Sequence, residues 1–231
     1  MPATPLPASG DTPRPGAART CDASGMAEIH RLFRSGFAEA PALVGGVRDG
    51  DVEHAKVVAE RLDLLSVGLH AHHDGEDQRL WNLLDERAPA CSAHVERMKA
   101  QHAEMLVNLD AMDAAVPAWR AAPSRATAAA VQQALDGINA ALAVHLGDEE
   151  TTIVPVMETT LTQAEVDWFG EHGRKATPKG QLWNQLGSIL AAQPDGGEEW
   201  MHKHLPAPVR VLWRWVGKAR YEKNRAALTR S

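Results

Sequence analysis

Four stretches of this chain place an apolar side chain at every third or fourth residue. The four sets are Met26, Phe33 and Phe37; Val58, Leu62, Leu65, Leu69, Leu80 and Leu83; Val95, Met98, Met105, Leu109 and Met112; and Val131, Leu135, Ile138, Leu142, Ile153 and Val156. This spacing repeats along one face of an α-helix, so each stretch is predicted to be an amphipathic helix with one buried face. Together the four faces would form one core.

Ionisable side chains interrupt each of these stripes at one level. They are His30 in the first, His72 and Glu76 in the second, His102 in the third, and His145 and Glu149 in the fourth. A buried ionisable group is costly unless it is paired or bound to a metal ion. Six such groups in one core therefore predict a metal site.

The histidine and glutamate of the second stripe are separated by one helical turn, about 40° around the axis and about 6 Å along it. His72 and Glu76 can therefore aim at one ion, and His145 and Glu149 repeat this geometry. We expect two ions side by side, bridged by the two glutamates. Imidazole and carboxylate together suit Fe, Mn, Zn or Cu, and the absence of cysteine disfavours a structural zinc site. Adjacent, carboxylate-bridged ions in a helical bundle favour iron.

The predicted fold is all-α, an up-down-up-down four-helix bundle with a C-terminal helical extension, because short connections join long helices. Proline, glycine and capping residues set the expected limits of the elements. The bundle helices are expected over residues 23–40, 51–86, 92–115 and 124–159. Further on, we expect helices over 162–169 and 181–192, with a loop over 170–180.

Three regions differ in composition. Residues 1–21 are rich in Pro, Ala, Gly and Thr and are predicted to be a disordered arm. Residues 22–160 form the predicted metal-binding bundle. Residues 161–231 carry five of the seven tryptophans, so this region is predicted to be folded.

The segment 205–231 is strongly basic. It contains seven basic side chains and one acidic side chain, a net charge of +6, although the whole chain has a net charge of −6. The simplest interpretation is a helix that docks its tryptophan face on the acidic bundle. The alternatives are contact with an anionic membrane surface, a protein partner or nucleic acid. No nucleic-acid motif supports the last of these, and we expect no nucleic-acid binding.

The two cysteines, Cys21 and Cys91, have no paired-motif spacing and are expected to be free thiols. Free thiols are typical of a reducing compartment. The chain shows no apolar run of membrane-spanning length and no signal-peptide core at its start. We therefore expect a cytoplasmic protein without a transmembrane segment.

Residues 26–158 resemble the hemerythrin family of His-His-Glu cation-binding bundles. The order His30, His72-x3-Glu76, His102, His145-x3-Glu149 matches the family's ligand order, and the segments HDGEDQRLW and HLGDEETTIVP are similar to its signatures. The resemblance implies two non-haem iron ions held directly by the protein, with bridging carboxylates and a solvent-derived bridge. It implies that the ligand is a small gas or peroxide.

One departure from the classical oxygen carriers of this family concerns the third helix. Those proteins have a second histidine one turn from the helix-3 ligand, and here the matching positions are Met98 and Leu106. One iron is then expected to have an open position. His73, which we expect to one side of the stripe, or His70 would fill this position after a rotation of the helix.

These residues support three functional hypotheses. The first is binding or sensing of dioxygen, nitric oxide or peroxide. The second is an enzymatic, catalase-like decomposition of peroxide. The third is storage or sensing of iron or zinc.

Overall fold

The computed structural model describes residues 18–230, and every regular element in this range is helical. The helices are α1 (Gly25–Gly45), α2 (Val52–Gly75), α3 (Trp81–Arg87), α4 (Ser92–Ala121), α5 (Arg125–Thr152), α6 (Val154–Thr160), α7 (Gln163–Ala176), α8 (Leu182–Ala191), α9 (Glu198–His204), α10 (Ala207–Leu212) and α11 (Lys218–Leu228). Two π-helical segments, Glu76–Leu80 and Trp213–Gly217, join α2 to α3 and α10 to α11, and a 3-10 turn covers Pro89–Cys91. The prediction of an all-α fold is confirmed for these residues.

The four long helices α1, α2, α4 and α5 surround one core, and each contacts two of the others. Contacts between α4 and α5 show their relative direction. Arg97 meets Asp148, and Gln101 meets His145, so the partner's number falls as the chain advances. These two helices therefore run in opposite directions.

The prediction that the first helix ends before Pro41 is wrong. Helix α1 passes through Pro41 and ends at Gly45. Proline removes the N–H that would bond to the carbonyl four residues earlier, that of Phe37. The side-chain amide of Asn139 in α5 donates to this carbonyl at 3.0 Å, and Val44 beyond the proline is buried in the core. A neighbouring helix thus replaces the missing hydrogen bond.

Three other expected boundaries also differ from those of the structure. Helix α4 continues through Pro117 because Val116 and Trp119 are buried in the core. Helix α7 includes residues 170–176, which were expected to form a loop. The fourth bundle helix was expected to be continuous, but it breaks at Ile153, two residues before Pro155.

The π segment Glu76–Leu80 shifts the buried face of the second bundle helix. A π turn adds a residue to the helical turn and so rotates the rest of the helix. The expected core residue Leu83 is only partly buried, whereas Trp81 and Leu84 are buried. The apolar stripe was therefore predicted correctly up to Leu80 and incorrectly beyond it.

The extension has a small core of its own, formed by Leu186, Leu190, Met201 and Trp213. The expectation that its tryptophan face docks on the bundle is wrong for Trp213, which packs against Trp183 of the extension.

Polar contacts tie the extension to the bundle. His54 Nε2 donates to the carbonyl of Leu228 at 2.9 Å, and Arg225 pairs with Glu39 at 2.8 Å. His54 is therefore buried and caps the last helix. The ion pair supports the expected attraction between the basic segment and the bundle.

Part of the predicted arm is described. Residues 1–17 lie outside the described residues, but Thr20 donates through its backbone N–H to the carbonyl of Glu158 at 2.8 Å. Cys21 is buried against Met157, and both Cys21 and Cys91 are free, as expected. Residues 20 and 21 therefore pack on α6.

Among the helices described between residues 18 and 230, none has both the length and the apolar character needed to cross a lipid bilayer.

The contact between the helices α8 and α11 of the extension supplies a stability test. A Cβ at Gly187 in α8 would collide with the ring of Tyr221 in α11, whereas a Cβ at Gly173 in α7 would meet no atom within 4 Å. We expect Gly187→Ala to destabilise the protein by about 1–3 kcal/mol through overpacking. Gly173→Ala, the matched control, should be neutral or stabilising by up to about 1 kcal/mol because alanine favours the helix. Denaturant unfolding followed by tryptophan fluorescence measures both, and equal effects would contradict the close packing.

Candidate metal centre

One polar layer separates two apolar clusters along the bundle. All four long helices contribute to the cluster that contains Phe33 and Leu69. The cluster that contains Met26 and Leu80 is formed mainly by α1, α4 and the segments that follow α2 and α5 in the chain. Between them, on all four helices, lie the ionisable side chains predicted from the sequence: His30, His72, Glu76, His102, His145 and Glu149. The structure brings all six together.

Within this layer the side chains form two groups. In the first, His30, His72 and Glu149 place ligand-type atoms within 4.8 Å of one another. His30 Nε2 lies 3.2 Å from His72 Nε2 and 3.3 Å from Glu149 Oε2. Three possible metal ligands, each from a different helix, therefore face one position.

The second group contains His73, Glu76, His102 and His145, again with ligand-type atoms within 4.8 Å. The rings of His73 and His102 stack with centroids 4.1 Å apart, and His102 Nε2 lies 3.4 Å from Glu76 Oε2. All four side chains are buried. This group has one more imidazole than the first.

Each glutamate reaches histidines of both groups. Glu149 Oε2 lies 3.3 Å from His30 Nε2 and 3.7 Å from His145 Nε2. Glu76 lies 3.5 Å from the Nε2 of His72 through Oε1 and 3.4 Å from that of His102 through Oε2. Such placement is suited to carboxylates that bridge two ions.

The hydrogen bonding of the layer fits a bound cation. Several of its buried atoms have no hydrogen-bond partner among residues 18–230: Nε2 of His73, His102 and His145, and both carboxylate oxygens of Glu76 and Glu149. Buried polar atoms are almost always paired, since an unpaired one costs free energy. Imidazole nitrogens and carboxylate oxygens are ligands for divalent first-row metal ions, so a cation would satisfy every atom in this set.

The pKa shifts of the glutamates and of His145 follow from burial and from the ionisable side chains beside them. Burial and the adjacent Glu149 carboxylate raise the pKa of Glu76 well above its usual value. Burial opposes ionisation of Glu149 as well, but the adjacent His30 and the other nearby histidines more than offset it and lower its pKa. Burial lowers the pKa of His145 to about 4, which leaves a neutral imidazole at neutral pH, the form that binds metal.

Hydrogen bonds from outside the layer fix the orientation of His30. Its Nδ1 donates to Glu150 Oε1 at 2.9 Å, and Arg34 holds the same oxygen at 2.7 Å. Burial opposes ionisation of Glu150, but these two hydrogen bonds outweigh it and lower the pKa of the carboxyl to about 2. The bond to Nδ1 leaves Nε2 of His30 directed into the layer.

Two other histidines are held in the same way. His102 Nδ1 donates to Asp77 Oδ1 at 2.8 Å, and the same oxygen accepts from Trp81 Nε1 at 2.6 Å. His145 Nδ1 donates to Gln101 Oε1 at 3.1 Å. Partners of this kind fix the tautomer of a ligating histidine and raise its basicity.

The expected position of His73, to one side of the stripe, is wrong. The structure buries His73 in the second group without any additional rotation of the helix, whereas His70 contacts Asp113 at 3.1 Å and lies outside the layer. The signal was present, because His73 lies four residues after Leu69 and three before Glu76, both intervals of one helix face.

The roles of Asp77 and Gln101 were also missed. Neither residue lies on an apolar stripe, so the spacing that selected the six predicted residues did not select them. Asp77 follows Glu76 and Gln101 precedes His102 in the chain, but each accepts a hydrogen bond from a histidine of another helix. The spacing within one helix therefore cannot assign their roles. Met98, at one of the positions of the missing histidine, is buried in the apolar cluster that contains Met26 and Leu80.

The family model of the hemerythrin HHE cation binding domain matches residues 22–166. The chain belongs to the hemerythrin family. Members of this family bind metal cations, and the two groups of histidine and glutamate lie within the matched range. No curated protein and no solved structure matches this hemerythrin-family chain.

Removal of the Asp77 carboxylate tests whether its hydrogen bond to His102 Nδ1 supports metal binding. We expect Asp77→Ala to lower metal affinity by about 10- to 100-fold, because His102 loses the group that orients its ring. Asp74→Ala removes an exposed carboxylate of the same helix and is the matched control. Competition with a chromophoric chelator measures both affinities. Equal affinities would mean that Asp77 does not support the site.

Proposed function

We propose that the polar layer holds two iron ions and that the protein binds or senses dioxygen, nitric oxide or peroxide through them. The observation that carries this proposal is the placement of Glu76 and Glu149, each of which contacts a histidine of both groups. Two carboxylates placed between two adjacent cations would offset part of their mutual repulsion. Iron at this site would supply redox chemistry and affinity for small oxygen or nitrogen ligands.

The proposed ligands are the six residues predicted from the sequence together with His73. In this assignment the first group supplies the nitrogens of His30 and His72, and the second supplies those of His73, His102 and His145. The glutamates and a solvent-derived bridge would be shared. The group with two imidazoles has fewer protein donors, and we assign the exogenous ligand to that side.

The surroundings of the layer support a site for a small ligand. Phe33 packs against His72 with ring centroids 5.3 Å apart, and Trp81 lies 5.5 Å from His102. Apolar clusters close both ends of the layer. These walls restrict water and limit the size of any molecule that can reach the centre, while the Nδ1 partners hold the imidazoles in place.

We also propose the domain limits expected from the sequence, with the bundle over residues 22–160 and the extension over 161–231. All seven proposed ligands precede residue 160. The contacts between neighbouring long helices favour the up-down-up-down arrangement for the bundle.

The iron content and optical spectrum test the proposal directly. Protein isolated from iron-replete cells should contain about two irons per chain, and oxidation should produce near-ultraviolet bands typical of a bridged ferric pair. Addition of dioxygen, nitric oxide or hydrogen peroxide to the reduced protein should change this spectrum. One iron per chain, or zinc alone after anaerobic reconstitution with ferrous iron, would contradict the di-iron assignment.

The same measurements distinguish binding or sensing from the enzymatic decomposition of peroxide. Binding or sensing predicts a stoichiometric spectral change with peroxide. Steady evolution of dioxygen from excess peroxide would instead assign a catalase-like activity. Iron that is released reversibly, with no spectral response to any of the three ligands, would favour storage.

Single histidine variants test the revised ligand set. We expect His73→Ala to lose more metal affinity than Asp77→Ala, because it removes a nitrogen donor of the buried group. His70→Ala, one turn earlier and outside the layer, is the control and should retain both irons. Comparable losses for the two histidine variants would show that the end of α2 is rotated relative to the structure. Metal analysis after gel filtration measures the iron retained.

A further inference from the structure

The last helical rod, residues 207–228, has apolar side chains on two opposite faces. On the inner face Trp213 is 6% exposed and packs against Trp183, and Leu228 is buried at the far end. Gly217 lies so close to both rings that a Cβ there would collide with them. This face accounts for the attachment of the rod to the rest of the protein.

The outer face is formed by Val211, Leu212 and Trp215, which are 55%, 48% and 82% exposed. Trp213 and Trp215 are two residues apart in the π segment Trp213–Gly217, and one is buried while the other is exposed, so they lie on opposite faces. Within residues 18–230, eight large apolar side chains are exposed, and three of them lie between positions 211 and 215. The outer face is therefore a concentrated apolar patch, whereas isolated exposed apolar residues are ordinary.

Basic side chains flank this patch. Arg214 pairs with Glu198 at 3.0 Å and Lys218 with Glu222 at 3.8 Å, both at the exposed surface, where such pairs contribute little. In the part of the chain that the structure describes, neither Arg220 nor Lys223 forms a salt bridge. The surroundings of the patch thus favour an anionic partner.

We propose that this outer face docks on the surface of an anionic lipid bilayer. A helix that lies in a membrane interface places an apolar face with tryptophan at the acyl boundary and Lys and Arg among the lipid headgroups. Val211, Leu212 and Trp215 form such a face, and Arg220 and Lys223, which form no salt bridge among the described residues, would attract anionic lipid. A nucleic-acid site would use the cations but would leave the valine and leucine unexplained.

The rod is held by its inner face, so docking requires no rearrangement of the protein. The metal layer lies inside the bundle, and the outer face shares no residue with it. The inference is therefore independent of the proposed di-iron function.

Co-sedimentation of the full-length protein with vesicles tests this proposal. The vesicles are phosphatidylcholine alone or phosphatidylcholine with an equal amount of phosphatidylglycerol. Binding is expected only with the anionic mixture, and it should weaken as salt is added. Trp215→Ala should reduce partitioning about tenfold because it removes the largest apolar side chain from the interface. Val107→Ala truncates a 69% exposed residue of α4 and should bind like the unmodified protein.

Tryptophan emission supplies a second measurement. It should shift to the blue with anionic vesicles and lose this shift in Trp215→Ala. The double variant Arg220→Glu/Lys223→Glu should bind anionic vesicles less tightly. Circular dichroism of each variant establishes that the helices are retained, which is expected because all the altered side chains are exposed.

Four results would overturn the proposal. They are the absence of vesicle binding, equal binding to neutral vesicles, binding that Trp215→Ala leaves unchanged, and a self-association that Trp215→Ala dissolves without any vesicle binding. The last result would assign the face to a second copy of the chain. Salt-dependent binding to duplex DNA in place of vesicles would assign the cations to nucleic acid and equally reject the lipid surface.

Discussion

The burial of two carboxylates side by side is the constraint on which the bundle depends. Glu76 and Glu149 lie in a layer closed by apolar clusters on both sides, and within residues 18–230 no hydrogen bond satisfies their oxygens. Like charges in such surroundings are tolerated when cations neutralise them. Metal binding and folding are then expected to be coupled, since the layer joins all four long helices. Outer partners such as Asp77 and Glu150 hold the imidazoles around the two carboxylates and extend this dependence toward the surface.

The two halves of the layer are unequal, with two histidines in one group and three in the other. Adjacent histidines at the end of α2 supply it, because His72 faces one group and His73 the other. Adjacent residues are about 100° apart around a helix, so the two side chains diverge and can face different groups. The π segment that begins at Glu76 then rotates the chain beyond it, so that Trp81 rather than Leu83 closes the core on that side of the layer.

The extension serves the bundle by its inner contacts and leaves an outer surface free. Arg225 and the carbonyl of Leu228 bond to the bundle residues Glu39 and His54, and a tryptophan cluster stabilises the extension itself. Trp215 takes no part in these contacts and remains exposed on the outer face.

The sequence by itself determined the helical class, the apolar stripes and the six ionisable residues that interrupt them, because helix periodicity is a local property that spacing reveals. The tertiary structure alone decided whether α1 could pass Pro41, since a side chain of α5 supplies the missing hydrogen bond. It also decided the role of Asp77, which accepts a hydrogen bond from a histidine of another helix. Which helix lies opposite a given residue is not encoded in the spacing of one segment.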